Sequence, residues 1–89
     1  MLDHILARIR GVKLEDIEGM LKADAEKHAE QGLVLRHLWH NMDDPSEILF
    51  IFATADLNRA RKFIETTQIQ TRNRDPNANL PKITFLKGE

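Results

Sequence analysis

Six consecutive apolar residues at positions 48–53, Ile-Leu-Phe-Ile-Phe-Ala, constrain the fold of this chain more than any other feature. A run of this length, rich in β-branched and aromatic residues, indicates a strand. Because successive side chains of a strand point to opposite faces, both faces of this one are apolar. A sheet covered on one side only carries alternating apolar and polar residues. We therefore expect both faces of the sheet around this strand to be covered.

The spacing of apolar residues predicts the elements on either side of this strand. Alternation over 4–10 predicts a first strand, and a helical period begins at Leu14 and is closed by Gly32. Gly19 inside that helix indicates either an irregular helix or close packing against a neighbour. The remaining predicted elements are a hairpin of strands at 33–41 and 47–53 around a turn at 42–46, a second helix capped by Thr54 or Asp56, irregular chain over 71–81, and a last strand at 82–87.

The predicted order is β-α-β-β-α-β, the ferredoxin-like plan of an α+β fold with an antiparallel four-stranded sheet and two helices on one face. A chain of 89 residues has room for one such domain, spanning residues 1–89. Both helices are needed on the first face of the sheet. No predicted element of the chain is left to cover the second face, and the simplest way to bury it is to pack it against the same face of a second copy. We therefore expect a homodimer.

The residue types that the chain lacks exclude several kinds of site and reaction. The chain has no cysteine and no tyrosine, and its sole serine, Ser46, lies in the polar turn. Disulfides, zinc-thiolate sites, thiol nucleophiles and phenolic acid-base chemistry are therefore excluded. The four glycines form no phosphate-binding loop, so we expect no cofactor. Thirteen basic and fourteen acidic residues give a net charge of −1, so no overall field attracts nucleic acid or anionic lipid.

The start of the chain has no signal-peptide pattern, because Asp3 and His4 interrupt its apolar residues. The run at 48–53 is also far shorter than the ~20 residues of a membrane-spanning helix. We therefore expect a cytoplasmic protein with no membrane partner.

Three side chains on the strand at 33–41 are candidates for a ligand-binding face. His37, Trp39 and Asn41 alternate along the strand, so all three point to one side of the sheet. An indole with an imidazole and an amide beside it can orient a planar aromatic ligand, and imidazole is the side chain that titrates nearest to neutral pH. His37 is thus the candidate base, with Trp39, Asn41, His4 and Arg8 as candidate ligand contacts if the first strand shares that face. The alternative is that Trp39 only fills the core or a dimer seam.

Two other interpretations, a metal site and an RNA-recognition domain, fit the sequence less well. His37 and His40 spell H-x-x-H, but an odd spacing on a strand sends them to opposite faces, so we expect no metal site. The RNA-recognition fold shares the β-α-β-β-α-β order, but its third strand opens with a basic residue and glycine and its first strand carries an aromatic residue. This chain has neither, so we expect no nucleic-acid partner.

Two segments resemble a known superfamily. Trp39-His40 followed by Asp43-Asp44-Pro45, together with the helix that begins Asp56-Leu57-Asn58-Arg59-Ala60-Arg61-Lys62-Phe63, resembles small proteins of the dimeric α/β-barrel superfamily, including antibiotic-biosynthesis-monooxygenase-like proteins. The match covers 32–63 and, more loosely, 80–86. The resemblance implies that two ferredoxin-like protomers pack sheet to sheet into a barrel whose interior can hold a small apolar molecule.

Members of this superfamily include cofactor-independent oxygenases, haem degraders, isomerases and proteins with no known reaction. Haem degraders use an asparagine on the first strand together with a tryptophan and a histidine. The first strand of this chain has no asparagine, so we do not assign these haem-degrading residues to it. The segment 68–80 also departs from the shorter, glycine-bearing connection of the family. Two functions remain open: a cofactor-independent monooxygenase-like or isomerase-like enzyme acting on a small aromatic molecule, and a ligand-binding or assembly module without catalysis.

Overall fold

The chain is described by a computed structural model that covers residues 2–89. Its elements confirm the predicted order of strands, with one additional helix. They are β1 Asp3–Arg10, α1 Leu14–Ala23, α2 Ala25–Glu30, β2 Val34–His40, β3 Glu47–Thr54, α3 Leu57–Arg74 and β4 Lys82–Leu86.

The four strands form one antiparallel sheet in the order β2-β3-β1-β4. Both β1 and β3 are central, and each of the other two strands lies at an edge. Buried residues of α1 and α3 pack on the same side of this sheet, where Ile17, Leu21 and Ala60 join the core of the central strands. The fold is α+β and compatible with the ferredoxin-like plan that the sequence predicts.

The helix-covered face holds the core. Ile5, Ala7 and Ile9 of β1 lie opposite Phe52, Phe50 and Ile48 of β3, and all six are buried. The rings of Phe50 and Phe52 meet edge to face with centroids 5.8 Å apart, which is a favourable aromatic geometry. Both phenylalanines therefore belong to the core.

Among residues 2–89, no helix lies on the other side of the sheet, which we call the open face. Its central side chains are Leu6, Leu49 and Ile51, which are only half-buried. The molecule measures 32 × 32 × 21 Å, and its thin dimension corresponds to one layer of sheet and one layer of helix. The side chains of the open face are His4, Leu6, Arg8 and Arg10 of β1; Val34, His37 and Trp39 of β2 with Asn41 after it; Glu47, Leu49, Ile51 and Ala53 of β3; and Lys82, Thr84 and Leu86 of β4.

The first helical segment differs from the prediction. The sequence predicts one helix from Leu14 to Gly32, whereas the structure has α1 and α2 separated at Asp24, whose φ of −97° and ψ of 4° leave the helical region. Aspartate is a weak helix former because its side chain competes for nearby backbone groups. Gly32 ends the segment as predicted: its φ is +75°, and the N–H of Leu33 donates to the carbonyl of His28 at 2.9 Å.

The last helix is longer than predicted. Asp56 is its cap, since its carboxylate accepts from the N–H of Arg59 at 3.1 Å. The sequence predicts irregular chain from Thr71, but α3 continues to Arg74. Pro76 explains the observed end, because a residue before proline is disfavoured in the helical region, and Asp75 is extended with φ −141° and ψ 94°.

Replacing Gly19 with alanine tests the account of α1. A Cβ at Gly19 meets nothing within 4 Å and the residue is helical, so close packing does not explain this glycine. We expect Gly19→Ala to raise the free energy of unfolding by about 0.5–1 kcal/mol, measured by denaturant unfolding at fixed protein concentration. Gly32→Ala is the contrasting control and should lower it by about 1 kcal/mol, because Gly32 has positive φ. A loss of stability in Gly19→Ala would contradict this account.

Candidate functional site

The hairpin places His37 and Trp39 side by side on the open face. Trp39 lies opposite Leu49 and His37 opposite Ile51, and the two rings are stacked with centroids 4.8 Å apart and planes 16° apart. The pairing of β2 with β3 shifts register between Leu35 and His37, which is the signature of a bulge. His37 and Trp39 share one face, as the sequence predicts, and 46% of Trp39 is exposed.

Asn41 lies on the same face, but its amide is engaged in the hairpin. Its Nδ2 donates to Glu47 Oε1 at 3.0 Å, and its Oδ1 accepts from the N–H of Asp43 at 2.9 Å. The second bond is an Asx turn, which explains why an asparagine begins the connection between β2 and β3. Asn41 therefore shapes the end of the hairpin next to Trp39.

Ion pairs hold the hairpin end against β1. The guanidinium of Arg10 pairs with Asp44 and, at 3.3 Å, with Glu47. The Ser46 hydroxyl donates to Asp44 Oδ1 at 2.5 Å, and this bond, with the nearby Arg10, holds the pKa of Asp44 below its usual value. The carboxylates of Asp44 and Glu47 therefore already have cationic or hydrogen-bonding partners within the protomer.

The two candidate residues of β1 also lie on the open face. Arg8 lies opposite Leu49 on one side and Lys82 on the other, and His4 lies between Ala53 and Leu86. Strand β3 separates both from Trp39 and His37. Strands are about 4.8 Å apart, so the Cα atoms of Arg8 and Trp39 are about 9–10 Å apart. All five predicted site residues thus share a face and form two groups on either side of a strip of apolar side chains.

The H-x-x-H pair is divided by the sheet. His37 is opposite Ile51 on the open face, whereas His40 is opposite the core residue Ile48. The two imidazoles therefore point to different sides of β2, as their spacing predicts. Within residues 2–89, no group of three or more histidine and acidic side chains is placed to hold a metal ion.

A cavity on the helix side was not predicted from the sequence. Its volume is about 360 Å³, and it lies between the sheet, α1, α2 and α3. The inward side of α3 continues from Phe63 to Thr67 and Thr71, so polar residues occupy positions where an apolar stripe would fill the space. Both threonine hydroxyls donate to carbonyls of their own helix, at 2.8 and 2.9 Å. That change in the stripe is the signal from which the cavity could have been inferred.

His28 lines the same cavity and contacts the core. Its ring meets Phe52 edge to face at 5.1 Å. Burial lowers the pKa of His28, the charge of Lys27 lowers it further, and the charge of Asp24 opposes this change. The folded protein therefore favours the neutral imidazole.

The lowered pKa predicts a dependence of stability on pH. The unfolded chain takes up a proton at His28 near pH 6.5, before the folded chain does, so stability falls as the pH drops below that value and through the folded-state pKa. His28→Gln should reduce the loss of melting temperature between pH 8 and pH 5.5, measured by thermal unfolding. The matched control is His40→Gln, an exposed histidine that should retain the wild-type dependence. An unchanged pH dependence in His28→Gln would contradict this assignment.

Comparisons with known proteins do not identify the chain further. No protein-family model matches it, and no curated protein matches it. Among residues 2–89, none of the helices combines the length and apolar character needed to cross a membrane.

Proposed function

We propose that two copies of the chain pack through their open faces, and that the dimer binds a small aromatic molecule beside Trp39. The observation that carries this proposal is the strip of Leu6, Leu49 and Ile51 in the middle of a sheet face that no helix covers. Apolar patches of this kind on a soluble chain are typical of interaction sites. Apolar side chains at the edges extend the strip, with Val34 54% and Leu86 39% exposed.

The exposed area of the chain supports a dimer. Its accessible surface is 6313 Å², whereas a monomeric protein of this mass exposes about 5,400 Å². The excess is roughly 900 Å², close to the ~800 Å² that each partner buries in a standard stable interface. Two sheets can pack face to face about 10 Å apart, so the open faces of two copies can cover each other without a third layer of secondary structure. This arrangement is also the one that the resemblance to dimeric α/β-barrel proteins implies.

The stacked rings of His37 and Trp39 favour an aromatic ligand. An indole that is 46% exposed offers a flat apolar surface and one N–H donor. The neighbouring Leu49 and Ile51 extend that surface toward the middle of the sheet. Packing of a second copy would exclude water from this strip, which strengthens polar contacts to a bound ligand.

His37 is the proposed base if the bound molecule reacts. Its imidazole would take a proton from an acidic C–H or O–H of the substrate, and return of that proton at another carbon completes an isomerisation. In the cofactor-independent oxygenation alternative, the same substrate anion reacts with dioxygen. The substrate loses two hydrogen atoms, gains one oxygen atom as a carbonyl and supplies all four electrons, and the other oxygen atom leaves as water. Arg8 and His4, across β3 on the same face, are the proposed donors to the oxygen on which negative charge develops.

A non-catalytic binding module is the second candidate function. Two observations favour it: His37 is an exposed residue whose ring stacks on Trp39, and the amide of Asn41 is already bonded within the hairpin. Catalytic bases are usually held in place by a further hydrogen-bonding group. Ligand binding requires only the rings and the apolar strip, so the proposal of a binding site does not depend on any catalysed reaction.

A charge on the open face tests the dimer. Ile51→Asp should weaken dimerisation at least ~100-fold, because a two-fold interface would bury two unpaired carboxylates. Val34→Asp, at a site already 54% exposed, should weaken it without affecting the fold of the protomer. The matched control is Ile69→Asp on α3, where the isoleucine is 61% exposed. Sedimentation equilibrium gives the association constants, and a wild-type monomer at 100 μM would contradict the proposal.

Substitution of the two rings separates binding from catalysis. Trp39→Phe should weaken binding of naphthalene-sized probes about tenfold by loss of stacking area and one donor, measured by calorimetry. His37→Ala should abolish any turnover, measured as oxygen uptake or isomerised product, while changing affinity only a few-fold. Binding without turnover in the wild type would identify a binding module. A verified dimer that binds no aromatic probe would contradict the ligand proposal.

A further inference from the structure

Two cations face each other on the open face without an acidic partner. Arg8 and Lys82 are directly opposite residues of β1 and β4. Within residues 2–89 the ion pairs are those of Arg10 with Asp44 and Glu47, Lys22 with Glu18, and Arg61 with Glu65. Neither Arg8 nor Lys82 takes part in any of them.

This pairing is unfavourable, and dimerisation would make it more so. Like charges directly opposite each other destabilise a sheet even in water. Packing two open faces together brings four such cations to one two-fold interface. Removing these cations from water without counter-charges would cost far more free energy than their mutual repulsion costs in the exposed sheet. A dimer formed through this face therefore requires either solvent at the Arg8 position or an anion that reaches it.

The acidic residues of the same face are already engaged. Glu47 accepts from Arg10 and from the amide of Asn41, and its side chain is only 14% exposed. Asp44 accepts from Arg10 and Ser46. Both carboxylates thus hold the hairpin to β1 and do not neutralise Arg8 or Lys82, and a bound anion can supply that counter-charge.

We infer that the ligand of the proposed site is an aromatic molecule that carries a carboxylate, with its ring against Trp39 and its carboxylate at Arg8 and Lys82. This inference rests on the proposed dimeric site and deepens it. Lys82, Arg8, Leu49 and Trp39 form one row across four strands, with the leucine between the cationic pair and the indole. The guanidinium fork of arginine matches a carboxylate with two parallel hydrogen bonds.

The spacing along this row suits a ligand of one or two rings. The Cα atoms of Arg8 and Trp39 are about 9–10 Å apart, and the flexible arginine side chain shortens the gap that the ligand spans. Leu49 forms an apolar floor under the ring, while the cations lie on β1 and on the edge strand β4. A neutral hydrocarbon would leave both cations unpaired, so the site favours an anion over its uncharged analogue.

The test compares 2-naphthoate with its uncharged analogue 2-naphthamide by calorimetry on the dimer. We expect 2-naphthoate to bind at least ~10-fold more tightly, since a charge-assisted bidentate pair contributes more than a neutral hydrogen bond. Arg8→Gln should remove most of that preference, chiefly by weakening the binding of 2-naphthoate, because the bidentate pair is lost. Lys82→Gln should reduce the preference by a smaller factor. Arg74→Gln, an exposed cation at the end of α3, is the matched control and should retain the preference.

Several results would overturn the inference. Equal affinities for the two probes in a verified dimer would overturn it while leaving the proposed aromatic site intact. If Arg8→Gln weakens the ligand-free dimer tenfold, a carboxylate of the second copy is the counter-charge and the inference fails. Tighter binding of a uridine decamer than of 2-naphthoate, lost in Trp39→Phe, would assign the face to RNA. Failure of both probes to bind would overturn the inference together with the proposed function.

Discussion

Strand β3 has apolar side chains on both faces, and the helices cover only one of them. On the covered side, Ile48, Phe50 and Phe52 pack into the core with residues of β1, α1 and α3. On the other side Leu49 and Ile51 are half-buried by their neighbours in the sheet alone. Full burial of a leucine or isoleucine contributes about 1.5–3 kcal/mol relative to exposure. In the protomer, Leu49 and Ile51 therefore do not contribute the full free energy that their burial would supply. Covering this face with a second copy or a ligand would supply the remainder.

In the proposed dimer, the arrangement of the open face would link assembly to ligand recognition. Its apolar strip runs between a pair of stacked rings on β2 and a pair of cations on β1 and β4. In the proposed dimer, a second copy that covers the strip would also lower the dielectric around Arg8 and Lys82, which would raise the energy of leaving them unpaired. Ligand charge and dimer stability are therefore coupled in this account: the ligand that best neutralises the cations also stabilises the dimer.

Much of the fold follows from periodicity, and so do the faces of the site residues. Alternation in β1 and β4, the turn residues before Glu47 and the cap at Asp56 each depend on local chemistry that a sequence displays directly. The face shared by His37 and Trp39 follows from the two-residue period of a strand alone.

Local patterns display other features only in part. Asp24 is a single weak helix former among good ones, and the bulge near Arg36 changes the pairing of β2 without a glycine or proline to mark it. The engagement of Asn41 with Glu47 joins residues on two strands, so it appears only once the hairpin register is known. The cavity beside His28 arises because α3 presents threonines toward the sheet, and its size depends on how far apart the helices lie.

Nuclear Overhauser effects in a mixed dimer show directly whether the open face packs against the same face of a second copy. Isotope-labelled and unlabelled copies are mixed, and only contacts between different copies are recorded. The account predicts contacts between copies from the methyl groups of Leu6, Leu49 and Ile51, and none from Ile69 on the helix side. Contacts between copies confined to the helix side, or a 10.3 kDa monomer with no such contacts, would contradict it.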